Sequence, residues 1–183
     1  MNIVESTKAI EPTMAAKVTE NAKIQATMEW PLIGYALLGG FYLCVAGKST
    51  FNWTWFNWHP FLMLLSFVSV SANAALIKKI GGYENTKMHG NLMWVATFLA
   101  TFAWYVIYSN KEMYGKQHLL SIHGKLGAGV MIGYFGVGIA GGVLLHPDFG
   151  IMKTNQTFRF IHKWAGRVLT ALAWACCVLG NLC

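Results

Sequence analysis

The chain has 183 residues, 55% of them hydrophobic and only 11% charged, with a formal net charge of +7. This is far more apolar than a soluble domain of that size and sets aside a water-soluble globular enzyme in favour of a membrane protein. The positive balance does not argue for nucleic acid, because the lysines and arginines stand in loops beside apolar stretches, where membrane proteins keep them.

Residues 1–28 are polar and of mixed charge, with no apolar core that could serve as a secretory signal, and read as a flexible tail. From there on, residues 29–183 read as one transmembrane domain. A spanning helix needs roughly 20 mostly apolar residues. Five stretches qualify, at about Pro31 to Gly47, Trp58 to Ile77, Met88 to Tyr108, Ile122 to Leu145 and Phe160 to Leu182. The expected fold is therefore all-α, a multi-pass helical bundle in a lipid bilayer.

After the first span, "GKSTFNWTWFNW" places Trp53, Trp55 and Trp58 where an interfacial aromatic belt belongs. The second span opens on His59 followed by Pro60, a residue suited to a first helical turn. The loop "KKIGGYENTK" leads to His89 at the start of the third span, and "SNKEMYGKQHLL", which contains His118, leads to His123 at the start of the fourth. "HPDFGIMKTNQTFR" then leads to His162 at the start of the fifth. His146, beside Pro147 in that last loop, acquires no role. Four cysteines, Cys44, Cys176, Cys177 and Cys183, lie in or at the ends of apolar helices without C-x-x-C spacing and read as packing residues.

Lysine and arginine mark cytoplasmic loops. Lys78, Lys79, Lys87, Lys153, Arg159, Lys163 and Arg167 flank the second-to-third and fourth-to-fifth connections, whereas Lys48, Lys111, Lys116 and Lys125 flank the other two. The amino terminus is therefore expected in the cytoplasm. Consecutive spans run in opposite directions, so His59 can meet His123 on the outer side and His89 can meet His162 on the inner side.

Imidazoles on facing helices are the arrangement with which a bundle holds a transition metal or a haem iron. A bare cation site or proton-coupled carrier calls for carboxylates within the membrane, but Glu84, Glu112 and Asp148 fall in loops. Counting along the helices, His89 leads to Met93, Ala96, Ala100 and Ala103, and His162 to Gly166, Leu169, Ala173 and Cys176. Such small side chains leave room for a large flat ligand. Gly127 and Gly166 each follow a histidine by four residues, which suits a porphyrin edge; close helix packing, as in "GVMIG" and "GIAGG", is the competing explanation.

From "FNWHPFLM" through "TKMHGNLMW" and "GKQHLLSIHGKLG" to "FRFIHKWAGRV", the chain resembles the cytochrome b561 family, especially its small single-domain members. The resemblance implies a four-helix core holding two b-type haems, with His59 and His123 as axial ligands of one and His89 and His162 of the other. A peripheral helix packs outside that core. The family has six spans and five are found here, so the sixth is expected to be absent, as in a truncated variant.

The implied function is transmembrane electron transfer from cytoplasmic ascorbate to an acceptor on the other side, monodehydroascorbate or a ferric chelate. The implied membrane is an endomembrane vesicle or the plasma membrane, and a second copy of the chain is a candidate partner. Lys87, two residues before His89, is the first choice for a donor contact, with positive-inside anchoring as the competing account. His118 is the candidate for positioning the acceptor, with a solvated loop histidine as the competing account. A non-catalytic haem-binding subunit and a histidine-based metal-ion transporter are the alternatives. Glycan attachment checks the topology: Asn52 is expected outside and Asn155 inside, so sugar on Asn155, read as a mobility shift on deglycosylation, would overturn the orientation.

Overall fold

The computed structural model describes residues 53–182. The expected first span, Pro31 to Gly47, lies outside the described residues, as do Cys44, Lys48, Asn52 and Cys183. Every element among the described residues is helical: α1 (Trp55–Ile80), α2 (Tyr83–Met113), α3 (Ile122–Leu144) and α4 (Gln156–Leu182). No strand occurs among them.

The helices run past the apolar stretches that announce them. At 31 residues α2 is about 46 Å long, well beyond a hydrocarbon core of about 30 Å. Hydropathy marks only the part in lipid, while the backbone hydrogen-bond ladder continues into water.

Of the described helices α1, α2 and α3 are long and apolar enough to cross a membrane. The fourth has the length, with 27 residues, but Arg159, Lys163 and Arg167 recur at four-residue spacing and lay a cationic stripe along its first turns. The span expected at Phe160 to Leu182 is thus helical, with a polar stripe at its leading end.

Two glycines make the link between α1 and α2. Gly81 and Gly82 have φ of +83° and +88°, values that side chains resist, so the chain reverses almost at once. The start of α3 is capped by Ser121, whose hydroxyl accepts from the Gly124 amide at 3.1 Å.

Small residues then set how closely the helices approach. Ala96, Ala100 and Ala103 have no exposed surface, and α1 lies against them: the Ser66 hydroxyl donates to the Ala96 carbonyl at 2.7 Å. The expectation that this alanine face leaves space is met in part by a neighbouring helix. At the centre of the bundle Phe67, Ala100, Val130, Met131, Tyr134 and Ala173 form one buried cluster. The Tyr134 hydroxyl is hydrogen-bonded to that of Ser71, since a phenol so deep needs a partner.

Residues Leu65–Val70 of α1 form a widened π turn. Such a turn loosens the ladder, and here the Phe67 carbonyl accepts from the Trp174 indole at 3.2 Å, tying α1 to α4. The outward faces carry large apolar side chains, such as Phe98 and Ile132, each more than 70% exposed and suited to lipid.

Enlarging the centre and trimming the outside should therefore differ. Ala100→Leu is expected to destabilise the bundle by about 1–3 kcal/mol through overpacking, and Phe98→Leu by less than about 0.5 kcal/mol. Thermal unfolding in one detergent compares them.

Candidate cofactor site

Each histidine at a helix start reaches across to the far end of an adjacent helix. His59 Nδ1 lies 2.9 Å from the Ala103 carbonyl of α2, and His89 Nδ1 lies 2.9 Å from the Ala74 carbonyl of α1. On the other hairpin His123 Nδ1 lies 3.0 Å from the Cys176 carbonyl of α4. His162 approaches the backbone of Val137 on α3, and its Nδ1 stays outside hydrogen-bond geometry.

The offsets repeat. Ala103 follows His89 by 14 residues, Cys176 follows His162 by 14, Val137 follows His123 by 14 and Ala74 follows His59 by 15. Fourteen residues of helix is about 21 Å, so the two histidine levels stand about that far apart. A carbonyl accepting from Nδ1–H leaves Nε2 as the basic nitrogen and aims it away from that carbonyl.

The aimed rings meet in twos. The His59 and His123 ring centroids are 6.2 Å apart with planes at 83°, and those of His89 and His162 are 6.4 Å apart at 89°. Two imidazoles bound on opposite sides of one metal, each at about 2.0 Å, have centroids roughly 6 Å apart. Both pairs fit that spacing.

The donor set fits a porphyrin better than a bare ion. Among the described residues no group of three or more His, Cys, Asp or Glu is placed to hold a metal. Two imidazoles fill half the needs of a tetrahedral cation, whereas a porphyrin brings its own four nitrogens and asks the protein for two.

Glycines press against the rings. A Cβ on Gly141 would lie 2.6 Å from His162 Cε1, and one on Gly180 would lie 2.8 Å from His123 Cε1. Gly141 sits in a second π stretch, Ala140–Leu144, at the end of α3. The two glycines singled out in the sequence divide: Gly166 faces open space, as a porphyrin edge requires, and Gly127 faces Cys176 Sγ, as helix packing requires.

At the His89/His162 end the α3–α4 loop is pinned to the first turn of α2. Asp148 accepts from the Tyr83 hydroxyl and pairs with Lys87 Nζ at 3.4 Å, while Lys153 Nζ donates to its carbonyl at 2.9 Å. The Asp148 amide donates to His146 Nδ1 at 3.2 Å, and the His146 ring stacks on Phe149 at 3.9 Å. His146 thus organises the turn that carries Asp148, a part the sequence did not suggest.

Lys87 comes two residues before His89, which turns it about 200° round the helix, toward this loop. Lys78 is the cation in electrostatic reach of His89 and His162, with Arg159 close enough to repel it. At the other end His118 Nε2 pairs with Glu112 Oε1 at 2.7 Å, and its ring stacks on Tyr108 at 4.8 Å. These contacts fasten His118 to the last turns of α2.

Four helices with two facing imidazole pairs at opposite ends define a membrane bundle of the redox-cofactor class. Residues 58–183 match the family described as eukaryotic cytochrome b561, and the chain belongs to that family. Among curated proteins, the transmembrane reductase CYB561D2 of Bos taurus is 27% identical over 150 residues, covering 77% of this chain and 67% of the relative. The protein of the same name from Homo sapiens matches with the same identity and coverage.

The Tyr83 hydrogen bond, aided by the Lys87 charge, holds the Asp148 carboxyl below its ordinary range. Its tie to α2 is complete above the usual carboxylate pKa of about 3.9 and lost only as pH falls through the lowered value. Hydrogen exchange of residues 145–155 at about pH 7, where that carboxylate is charged, should therefore be faster in Asp148→Ala than in the unaltered chain.

Proposed function

We propose that the protein passes single electrons across a membrane through two b-type haems, from ascorbate in the cytoplasm to monodehydroascorbate or a ferric chelate on the other side. The facing imidazoles, 6.2 and 6.4 Å apart between centroids, carry this reading. His59 with His123, and His89 with His162, would hold one haem each. Bound haem with two imidazoles supplies reversible one-electron chemistry without an open site for oxygen.

The chain supplies the rest. Backbone carbonyls at Ala103, Ala74 and Cys176 fix the orientation of three rings before anything binds. Levels about 21 Å apart set the two groups toward opposite faces of a hydrocarbon layer about 30 Å thick. Residues 29–183 form this unit, with residues 1–28 as a cytoplasmic tail. The excess of cations puts the His89/His162 end in the cytoplasm, in a vesicle or plasma membrane. There Lys78, Lys87 and Arg159 attract an anionic donor. His118 stands at the acceptor end, and a homodimer is consistent with the apolar outer faces.

Reduced-minus-oxidised spectra of purified protein should show sharp paired-imidazole bands, and colourless protein would defeat the proposal. Ascorbate-loaded vesicles should reduce an impermeant ferric compound outside. A rate no higher than that of empty vesicles would leave a haem-binding subunit without turnover. His89→Ala should lose about half the haem, counted from the two facing imidazole pairs. Gly141→Ala, whose Cβ falls 2.6 Å from His162, should weaken the same haem selectively, and equal loss of both haems would contradict independent pairs.

A further inference from the structure

We propose that Asp148 is a built-in competitor for the electron donor: its carboxylate occupies the Lys87 ammonium and the Tyr83 hydroxyl, and the donor anion enters by exchanging with it. This rests on the anionic donor proposed above.

The contacts are those a small oxyanion would make. One Asp148 oxygen accepts from the Tyr83 hydroxyl and the other faces Lys87 Nζ at 3.4 Å. Lys87 also lies over the Tyr83 ring, 5.2 Å from its centroid, so the ammonium and the hydroxyl act as one seat. An ascorbate anion offers the same pair of acceptor oxygens. The seat is open, since both charged side chains are 39% exposed.

Asp148 is held in place by the loop as well as by the seat. Lys153 binds its carbonyl and His146 its amide, so the carboxylate remains at hand when an anion displaces it and returns when the anion leaves. The surroundings carry an excess of cations, with Lys78, Lys79, Arg159 and Lys163 on the same end of the bundle against one further acid, Glu84, in the first turn of α2. Such a field alone would hold any anion, spent donor included. One local carboxylate lowers that affinity and hastens release.

The test is calorimetric titration of ascorbate into photochemically reduced holoprotein in detergent at low salt. Reduced protein takes up no electrons, so the heat reports binding alone. Asp148→Asn keeps the shape and the oxygen that accepts from Tyr83 but removes the charge. It is expected to bind ascorbate about two- to fivefold more tightly, the range that exposed ion pairs command. The gain should vanish at about 0.5 M salt.

Gly150→Ala controls for loosening of the loop: its Cβ would lie 2.5 Å from the His146 amide nitrogen, opening the turn without changing charge. It should give no gain. Equal or weaker binding by Asp148→Asn, or an equal gain in Gly150→Ala, would overturn the proposal. Haem spectra and vesicle reduction on the same preparations separate the two readings. Coloured, competent protein whose Asp148→Asn variant binds no tighter sinks the competitor alone, and colourless protein sinks the function.

Discussion

The hydrogen bond between a histidine Nδ1 and a carbonyl on the adjacent antiparallel helix is the contact on which the rest of this structure depends. It fixes the tautomer and aims Nε2, and it does so where water is scarce and an unsatisfied imidazole would be costly. The carbonyls that accept at Ala103 and Ala74 belong to alanines because the donor ring comes from another helix, and a larger side chain would hold that helix away. Small residues, close helices and oriented rings are one feature seen at three scales.

Much of this was legible in the sequence. The histidine pairings followed from the alternation of spans, and the structure brings together the rings that alternation predicts. The fourteen-residue count from His89 and His162 already reached Ala103 and Cys176, although it was read as room for a ligand rather than as the site of a carbonyl acceptor. Side-chain size shows in a sequence, and the direction of a backbone oxygen does not.

Other parts were hidden for definable reasons. The two π stretches depend on where facing helices press, which no local pattern records. Gly141 and Gly180 touch rings on neighbouring helices, at distances from those histidines that no periodicity links. Lys87 stands out by its nearness to His89 in sequence, while the loop it meets is fixed by tertiary structure, since a step of two turns a side chain to the opposite side of a helix. Its partner Asp148 lies 61 positions further along the chain, beyond any spacing rule.

Anchoring inside each half divides the bundle into two hairpins, α1 with α2, tied in both directions, and α3 with α4, tied through His123, whereas each imidazole pair draws one ring from either hairpin. Orientation of three of the four rings is thus settled inside a hairpin, and their pairing between hairpins. Between the two imidazole levels the halves are joined by the Trp174 indole on the Phe67 carbonyl and by the Ser71 and Tyr134 hydroxyls, so the seam between hairpins is zipped at mid-height. A disturbance at one imidazole level is therefore stopped at that zip and does not reach the level beyond it.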